Sequence, residues 1–259
     1  MKKTKLAFDI QSLPSELRAL AQGARVYDCS SSPEARVYFI DRDGGYYIKR
    51  SGKGALTREA EMTRYFHKRG LGAELVAYIQ DAYDWMLTKA VRGDDCTHGR
   101  YLDDPKRLCD TLALYLRELH DTDASDCPMQ DRMAQYVRTA EQNKLLGVTD
   151  TSFFLGENKN EEYIWKVALE GAPSLDSSVL LHGDYCLPNI ILNDWRLSGF
   201  IDVGCGGIGD RHIDLFWGTW TLAFNLGTDK YRERFLDAYG TDVTDKEKIR
   251  IVSAFEVFG

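Results

Sequence analysis

Hydrophobic spacing changes character once along this chain, and that change limits the fold more than any other feature. From about residue 24 to 49, apolar and polar residues alternate in strand fashion between turn-forming clusters. Arg25-Val26-Tyr27 leads to Ser30-Ser31-Ser32-Pro33, residues 36 to 40 lead to Asp41-Arg42-Asp43-Gly44-Gly45, and residues 46 to 49 follow. This pattern predicts a three-stranded meander. Thr57 is expected to cap a helix that has Glu59 and Glu61 in its first turn, carries Met62, Tyr65 and Phe66 on one face, and ends near Gly70. A strand pair is expected around 75–80 and 85–88. Beyond it the spacing becomes helical: Asp104 is placed as an N-cap and Pro105 as the first helical residue, ahead of a stripe of Leu108, Leu112, Tyr115, Leu116 and Leu119. Further helices are expected near 131–143, 161–170, 211–225, 229–239 and 245–258, with short apolar strands at 179–182, 190–192 and 200–203. A β-rich part followed by an α-rich part is an α+β order. It predicts a small lobe, residues 1–91, with an antiparallel sheet and a helix, and a larger, mainly helical lobe, residues 92–259, with a hinge near 87–93.

Composition narrows the chemistry. With 44% hydrophobic and 28% charged residues in 259, the chain can bury a real core without help. Its basic start lacks the apolar run of an export signal because Asp9 interrupts it, and no stretch approaches the roughly 18 apolar residues of a membrane span. A cytoplasmic protein without membrane partners is expected. The six cysteines, Cys29, Cys96, Cys109, Cys127, Cys186 and Cys205, contain no C-x-x-C pair, so reduced thiols are expected; His182 with Cys186 has no second pair at zinc spacing. A net charge of −7 argues against a nucleic-acid partner and suits cationic small molecules.

The densest chemistry lies in His182-Gly183-Asp184-Tyr185-Cys186-Leu187-Pro188-Asn189, followed by Ile201-Asp202-Val203-Gly204. Aspartate, four residues, asparagine, then Asp-x-Gly at a strand end is the layout of a kinase catalytic loop and its metal-binding aspartate. A short loop can aim the Asp184 carboxylate at an attacking hydroxyl, while the Asn189 amide oxygen and Asp202 reach one Mg2+ ion. Magnesium takes hard oxygen ligands and keeps several waters, so two protein side chains and triphosphate oxygens suffice. The same residue types are common turn formers, and the correct spacing of three of them decides for the chemistry.

The first half supplies complementary groups. Lys49, at a strand end, can reach the α- and β-phosphates of ATP or GTP, and Glu59 is placed to hold it extended. Period-two alternation sets Tyr47 on the face of Lys49, where its ring can lie against the base. Backbone donors from Ser30, Ser31 and Ser32 can meet phosphate, and backbone groups of Thr88-Lys89-Ala90 can meet the purine edge.

These motifs resemble those of the aminoglycoside 3'-phosphotransferases, a branch of the antibiotic and choline kinase group with a protein-kinase-like bilobal fold. The resemblance rests on His182-Gly183-Asp184 with Leu187-Pro188-Asn189, on Ser198-Gly199-Phe200-Ile201-Asp202, on Gly209-Asp210-Arg211 with Asp214, and on Phe255-Glu256-Val257-Phe258. It implies Asp184 as catalytic base or hydroxyl-orienting carboxylate, Asn189 and Asp202 as magnesium ligands, Lys49 with Glu59 as the phosphate clamp, and nucleotide contact by Tyr47 and the serine turn. It also implies a cationic aminoglycoside as substrate, bound by Glu256, by the chain end at Phe258, and by acids of the 150–157 segment, Asp150 and Glu157. His182 is expected to brace the loop, and Arg211 and Asp214 to hold the helical lobe. The chain departs from the pattern at Cys205, where relatives carry arginine, at Phe255, where they carry an acid, and at Gly259, which extends the terminus by one residue. A kinase of another small alcohol, or a silent nucleotide-binding module, are the alternative readings.

Overall fold

The computed structural model describes residues 3–31 and 33–259. In chain order the strands are β1 (Thr4–Lys5), β2 (Arg25–Asp28), β3 (Ala35–Asp41), β4 (Tyr46–Gly52), β5 (Leu75–Gln80), β6 (Tyr83–Lys89), β7 (Asp94–Asp95), β8 (Val179–Leu181), β9 (Ile190–Asn193), β10 (Arg196–Phe200) and β11 (Gly207–Gly209). The α-helices are α1 (Ser15–Ala21), α2 (Thr57–Lys68), α3 (Gly99–Leu102), α4 (Pro105–His120), α5 (Arg132–Leu146), α6 (Glu161–Gly171), α7 (His212–Leu226), α8 (Arg232–Tyr239) and α9 (Lys246–Glu256). Contacts divide the chain into two bodies: residues up to Asp95 together with Pro188–Gly204, and Cys96–Leu187 together with Cys205–Gly259.

In the first body a six-stranded sheet runs β1-β2-β3-β4-β6-β5, each neighbour antiparallel. The alternation of β4 sends Ile48 to one face, where it is fully buried with Ile40, Val26, Trp85 and Leu87 under Leu13, Leu17 and Ala21 of the α1 region. Tyr47 and Lys49 take the opposite face. There Met86, paired with Lys49 across the ladder, packs with Leu56 and Ala60 at the start of α2. The apolar contacts of α2 thus bring Glu59, one residue before Ala60, to the lysine face.

Sequence and structure differ at the entry to α2. Thr57 is the first helical residue and not the cap; Leu56 occupies the cap position, and its amide donates to the Asp84 carboxylate at 2.9 Å. Asp84 is fully buried and also accepts from the Gly54 amide, Tyr78 and Gln80. These donors outweigh the effect of burial and keep its carboxyl below the usual range. The Thr57 hydroxyl pairs with that of Tyr78 instead.

The β9–β10 hairpin is joined to β7 and docks on the end of α2: the Phe200 amide donates to the Leu71 carbonyl at 2.7 Å, and the Phe200 ring meets Phe66 edge-on. The strand expected at 200–203 ends at Phe200. Asp202 takes φ +59°, a left-handed conformation that aspartate tolerates better than most residues, and a 3₁₀ turn, Val203–Cys205, follows.

The second body is mainly helical. Leu108, Cys109, Leu112, Ala113, Leu116 and Leu119 of α4 are buried to 1% exposure or less, and the Asp104 carboxylate accepts from the Arg107 amide as the expected cap. The α9 helix ends at Glu256, two residues short of expectation, because the Phe258 amide turns back to the Phe255 carbonyl. The short antiparallel pair β8–β11 lies between α4 and α5 in contact terms, touching both. Among the described residues no helix is long and apolar enough to cross a membrane.

Candidate active site

In the first body the Lys49 ammonium lies 2.7 Å from Glu59 Oε2 and 2.7 Å from Asp202 Oδ1. Glu59 is buried at the start of α2, whereas half of the Asp202 side chain is open to solvent. Burial opposes the lysine charge, but the Asp202 and Glu59 carboxylates outweigh it and hold the ammonium above its ordinary range. With one cation shared by two acids, the buried acid bears the cost: burial first, then the Asp202 charge, pushes Glu59 up to about 7 against the pull of Lys49. A Cβ at residue 204 would stand 3.1 Å from Glu59 Cβ, so the glycine of the Asp-x-Gly motif leaves room for the acid that holds the lysine.

Asn189 sits at the foot of the same hairpin. Its carbonyl accepts from the Ile201 amide at 3.0 Å, which sets residues 189 and 202 on adjacent chain segments. An amide oxygen and a half-exposed carboxylate form a hard-oxygen donor set, and this fits magnesium rather than a soft metal. Among the described residues no three His, Cys, Asp or Glu side chains gather to hold a metal by themselves, so further ligands would come from triphosphate oxygens and water.

The other nucleotide candidates are placed less simply. Tyr47 pairs with Thr88 across the ladder, its ring 5.0 Å from that of Phe39, and burial pushes its hydroxyl up to about 12. Ser30 spends its amide on the Asp28 carboxylate and its hydroxyl on the Val37 amide, which closes the β2–β3 turn from inside. Ser31 is exposed, and Ser32 lies outside the described residues. The Ala90 amide donates to the Gly45 carbonyl and the Lys89 amide to that of Glu74, so neither is an idle donor.

In the second body the loop at Asp184 is held from behind. The fully buried Asp214 of α7 accepts from the His182 amide at 2.8 Å and the Gly183 amide at 2.7 Å, with His120 Nε2 at 3.1 Å. His182 Nδ1 accepts from the Asp184 amide at 3.3 Å, the bracing expected of that histidine. Gly183 has φ +85°, and a Cβ there would lie 2.0 Å from the Cys205 carbonyl oxygen. The Leu187 amide donates to Thr221 of α7, so both ends of the loop that holds the half-buried Asp184 are tied to that helix. Arg211 binds the Tyr239 hydroxyl, which also meets His120, so it supports this network.

The four substrate candidates lie in this body in unlike settings. Glu256 is buried and accepts from the Tyr136 hydroxyl at 2.7 Å; burial pushes it up to about 7, against the pull of Tyr136, Arg132 and the Trp217 indole. The Phe258 ring is fully buried against Trp165, centroids 5.1 Å apart, and its carbonyl accepts from Asn143. Asp150 caps a 3₁₀ turn through the Ser152 amide, and its own amide donates to the Val257 carbonyl, tying the 150s segment to the chain end. Glu157 is exposed. Tyr136, Thr221 and Asp84 are not legible in the sequence, because the Glu256 carboxylate, the Leu187 amide and the Gly54 and Leu56 amides they bind lie 28 to 120 residues away; the aromatic stripe on α7 is legible from its spacing.

A mixed sheet-and-helix body bearing a paired lysine, and a helical body bearing a braced aspartate loop, define a small-molecule phosphotransferase of protein-kinase-like fold. The chain belongs to the phosphotransferase enzyme family, whose profile matches residues 29–252. It is 46% identical over 256 residues to the probable aminoglycoside 3'-phosphotransferase of Lactococcus lactis subsp. lactis (strain IL1403), covering 98% of both chains. Among solved structures it is similar to an aminoglycoside-3'-phosphotransferase of type VIII, with a TM-score of 0.77, 25% identity, and 94% and 97% of the two chains covered. It also shares the fold of APH(3'')-Id from Streptomyces rimosus ATCC10970, solved with ADP and streptomycin (TM-score 0.69, 20% identity, 86% and 90% covered).

Proposed function

We infer that this protein transfers the γ-phosphoryl group of a nucleoside triphosphate to the 3'-hydroxyl of an aminoglycoside antibiotic, and so confers resistance to it. Full-length identity of 46% to a relative of that name supports the substrate, and the Lys49–Glu59–Asp202 cluster is the observation that carries the chemistry. In this reading Glu59 keeps Lys49 extended, and the lysine exchanges Asp202 for phosphate oxygens when the nucleotide binds. Asn189 and Asp202 would hold magnesium, which when bound neutralises charge on the triphosphate. Asp184 orients the sugar hydroxyl and takes its proton as the oxygen attacks the γ-phosphorus and the bond to the β-phosphate breaks, releasing nucleoside diphosphate. Tyr47 supports the base. Glu256, at the end of α9, receives an ammonium of the acceptor. A nucleoside triphosphate donor favours the cytoplasm as the place of reaction.

Mass spectrometry of kanamycin and neomycin after incubation with the enzyme, magnesium and either ATP or GTP tests this reading. A gain of one phosphoryl group is expected, with nuclear magnetic resonance placing it at the 3'-oxygen. Transfer only to other small alcohols would overturn the substrate assignment.

A further inference from the structure

One face of α7 carries Trp217, Trp220 and Phe224 at i, i+3 and i+7, the spacing that lines side chains along a single stripe. Trp217 and Trp220 meet edge-on at 5.4 Å, and Phe224 stacks on Trp220 at 5.1 Å with only 11° between the ring planes. Phe153, just after Asp150, closes the other side, its centroid 5.6 Å from Trp217 and 5.7 Å from Trp220. This is not a core cluster: Phe224 is 70% exposed and both tryptophans remain partly open. Nor is it remote from the acceptor candidates: Phe153 follows Asp150 by three residues, and the Asp150 amide donates at 2.8 Å to the carbonyl of Val257, the residue after Glu256.

We propose that Phe153, Trp217, Trp220 and Phe224 form an acceptor subsite, against which a ring of the aminoglycoside remote from the transferred hydroxyl lays its C–H face, with an ammonium over an indole. The charges around it match such a ligand: the 150–157 segment carries Asp150 and Glu157 and no basic residue, and it is tied through the Asp150 amide to Val257, next to Glu256. Aromatic faces attract both polarised C–H groups and cations, so a wall of rings bordered by acids suits an amino sugar and repels an anion. It also supplies contact area in a chain whose 150s segment holds two acids.

This proposal rests on the aminoglycoside reading, and the test separates the two. With the full chain and saturating nucleotide, Trp220→Ala and Phe224→Ala should each raise KM for kanamycin about tenfold, more than they lower kcat, and leave the nucleotide KM in place. Trp220→Phe should retain most of the wild-type KM. Kanamycin without nucleotide should quench tryptophan fluorescence in the wild type, and Trp220→Phe should diminish that signal. Phe224, being exposed, can be truncated without opening the core, so its variant reports even if Trp220→Ala unfolds. Wild-type phosphorylation of kanamycin with an unchanged kanamycin KM in Phe224→Ala overturns the subsite alone. Absence of any aminoglycoside phosphorylation by the wild type overturns both readings.

Discussion

The two bodies solve the problem of binding a charged ligand in opposite ways. In the first, charge meets charge: Lys49 is shared by Glu59 and Asp202, and α2 is docked so that one buried acid and one half-exposed acid face the same ammonium. In the second, Glu256, the buried acid among the four substrate candidates, accepts from the Tyr136 phenol, and the Arg132 charge opposes the effect of its burial. An ion-paired lysine fixes the position of a polyanion that barely varies between nucleotides. Rings bordered by a few acids accept cations whose number and spacing differ between antibiotics. In the proposed reading, the contrast teaches that donor recognition is preorganised by charge and acceptor recognition by shape.

The comparison predicts effects of unequal size. Asp184→Ala should lower kcat by about 10³-fold while calorimetric nucleotide affinity holds, since a positioned acid or base contributes on the order of 10²–10⁴; near-wild-type turnover would remove Asp184 from the chemistry. Asp202→Ala should weaken magnesium–nucleotide binding by about 30-fold or more, the equivalent of ~2 kcal/mol, and unchanged affinity by calorimetry would argue against a metal role. Gly183→Ala should destabilise the fold by more than ~1 kcal/mol, because the added Cβ meets the Cys205 carbonyl and the backbone is left-handed. A thermal melt unaltered by that change would mean that the loop is not clamped as described.

A further effect appears only as pH is varied. Glu256 is lifted by burial to about 7 from an ordinary 4.5, so the folded chain holds a proton there that the unfolded chain releases. Stability from this group is complete below the unfolded value and is lost as pH rises through 7. Glu256→Gln should therefore melt like the wild type near pH 5 and be more stable near pH 8, by about 1–3 kcal/mol. Parallel melting curves across that range would show that Glu256 is not buried in the way its surroundings imply.

Much of both bodies is legible in the sequence where the rules are local. Alternation in β4 predicts that Tyr47 and Lys49 share a face, and Asp104-Pro105 marks the start of α4 without any knowledge of its neighbours. What escaped was set by distant partners. Thr57 has the chemistry of a cap, but Asp84, entering from β6, satisfies the helix start and frees the threonine for Tyr78. The strand before Asp202 looked longer than it is, since nothing in Phe200-Ile201-Asp202-Val203 announces a left-handed aspartate. The α1 helix is not legible because seven residues hold too few periodic positions to stand out from a loop. The family resemblance marks Glu256 as a substrate contact, and its bond to Tyr136, 120 residues back, belongs to packing that no spacing rule reports.

Calorimetric titration of nucleotide and of kanamycin, separately, into Asp202→Ala and Glu256→Gln tests the division of labour most directly. The account predicts a crossed result: Asp202→Ala loses nucleotide affinity and keeps kanamycin, while Glu256→Gln loses kanamycin affinity and keeps nucleotide. Loss of both ligands by each variant, or of neither, would contradict it.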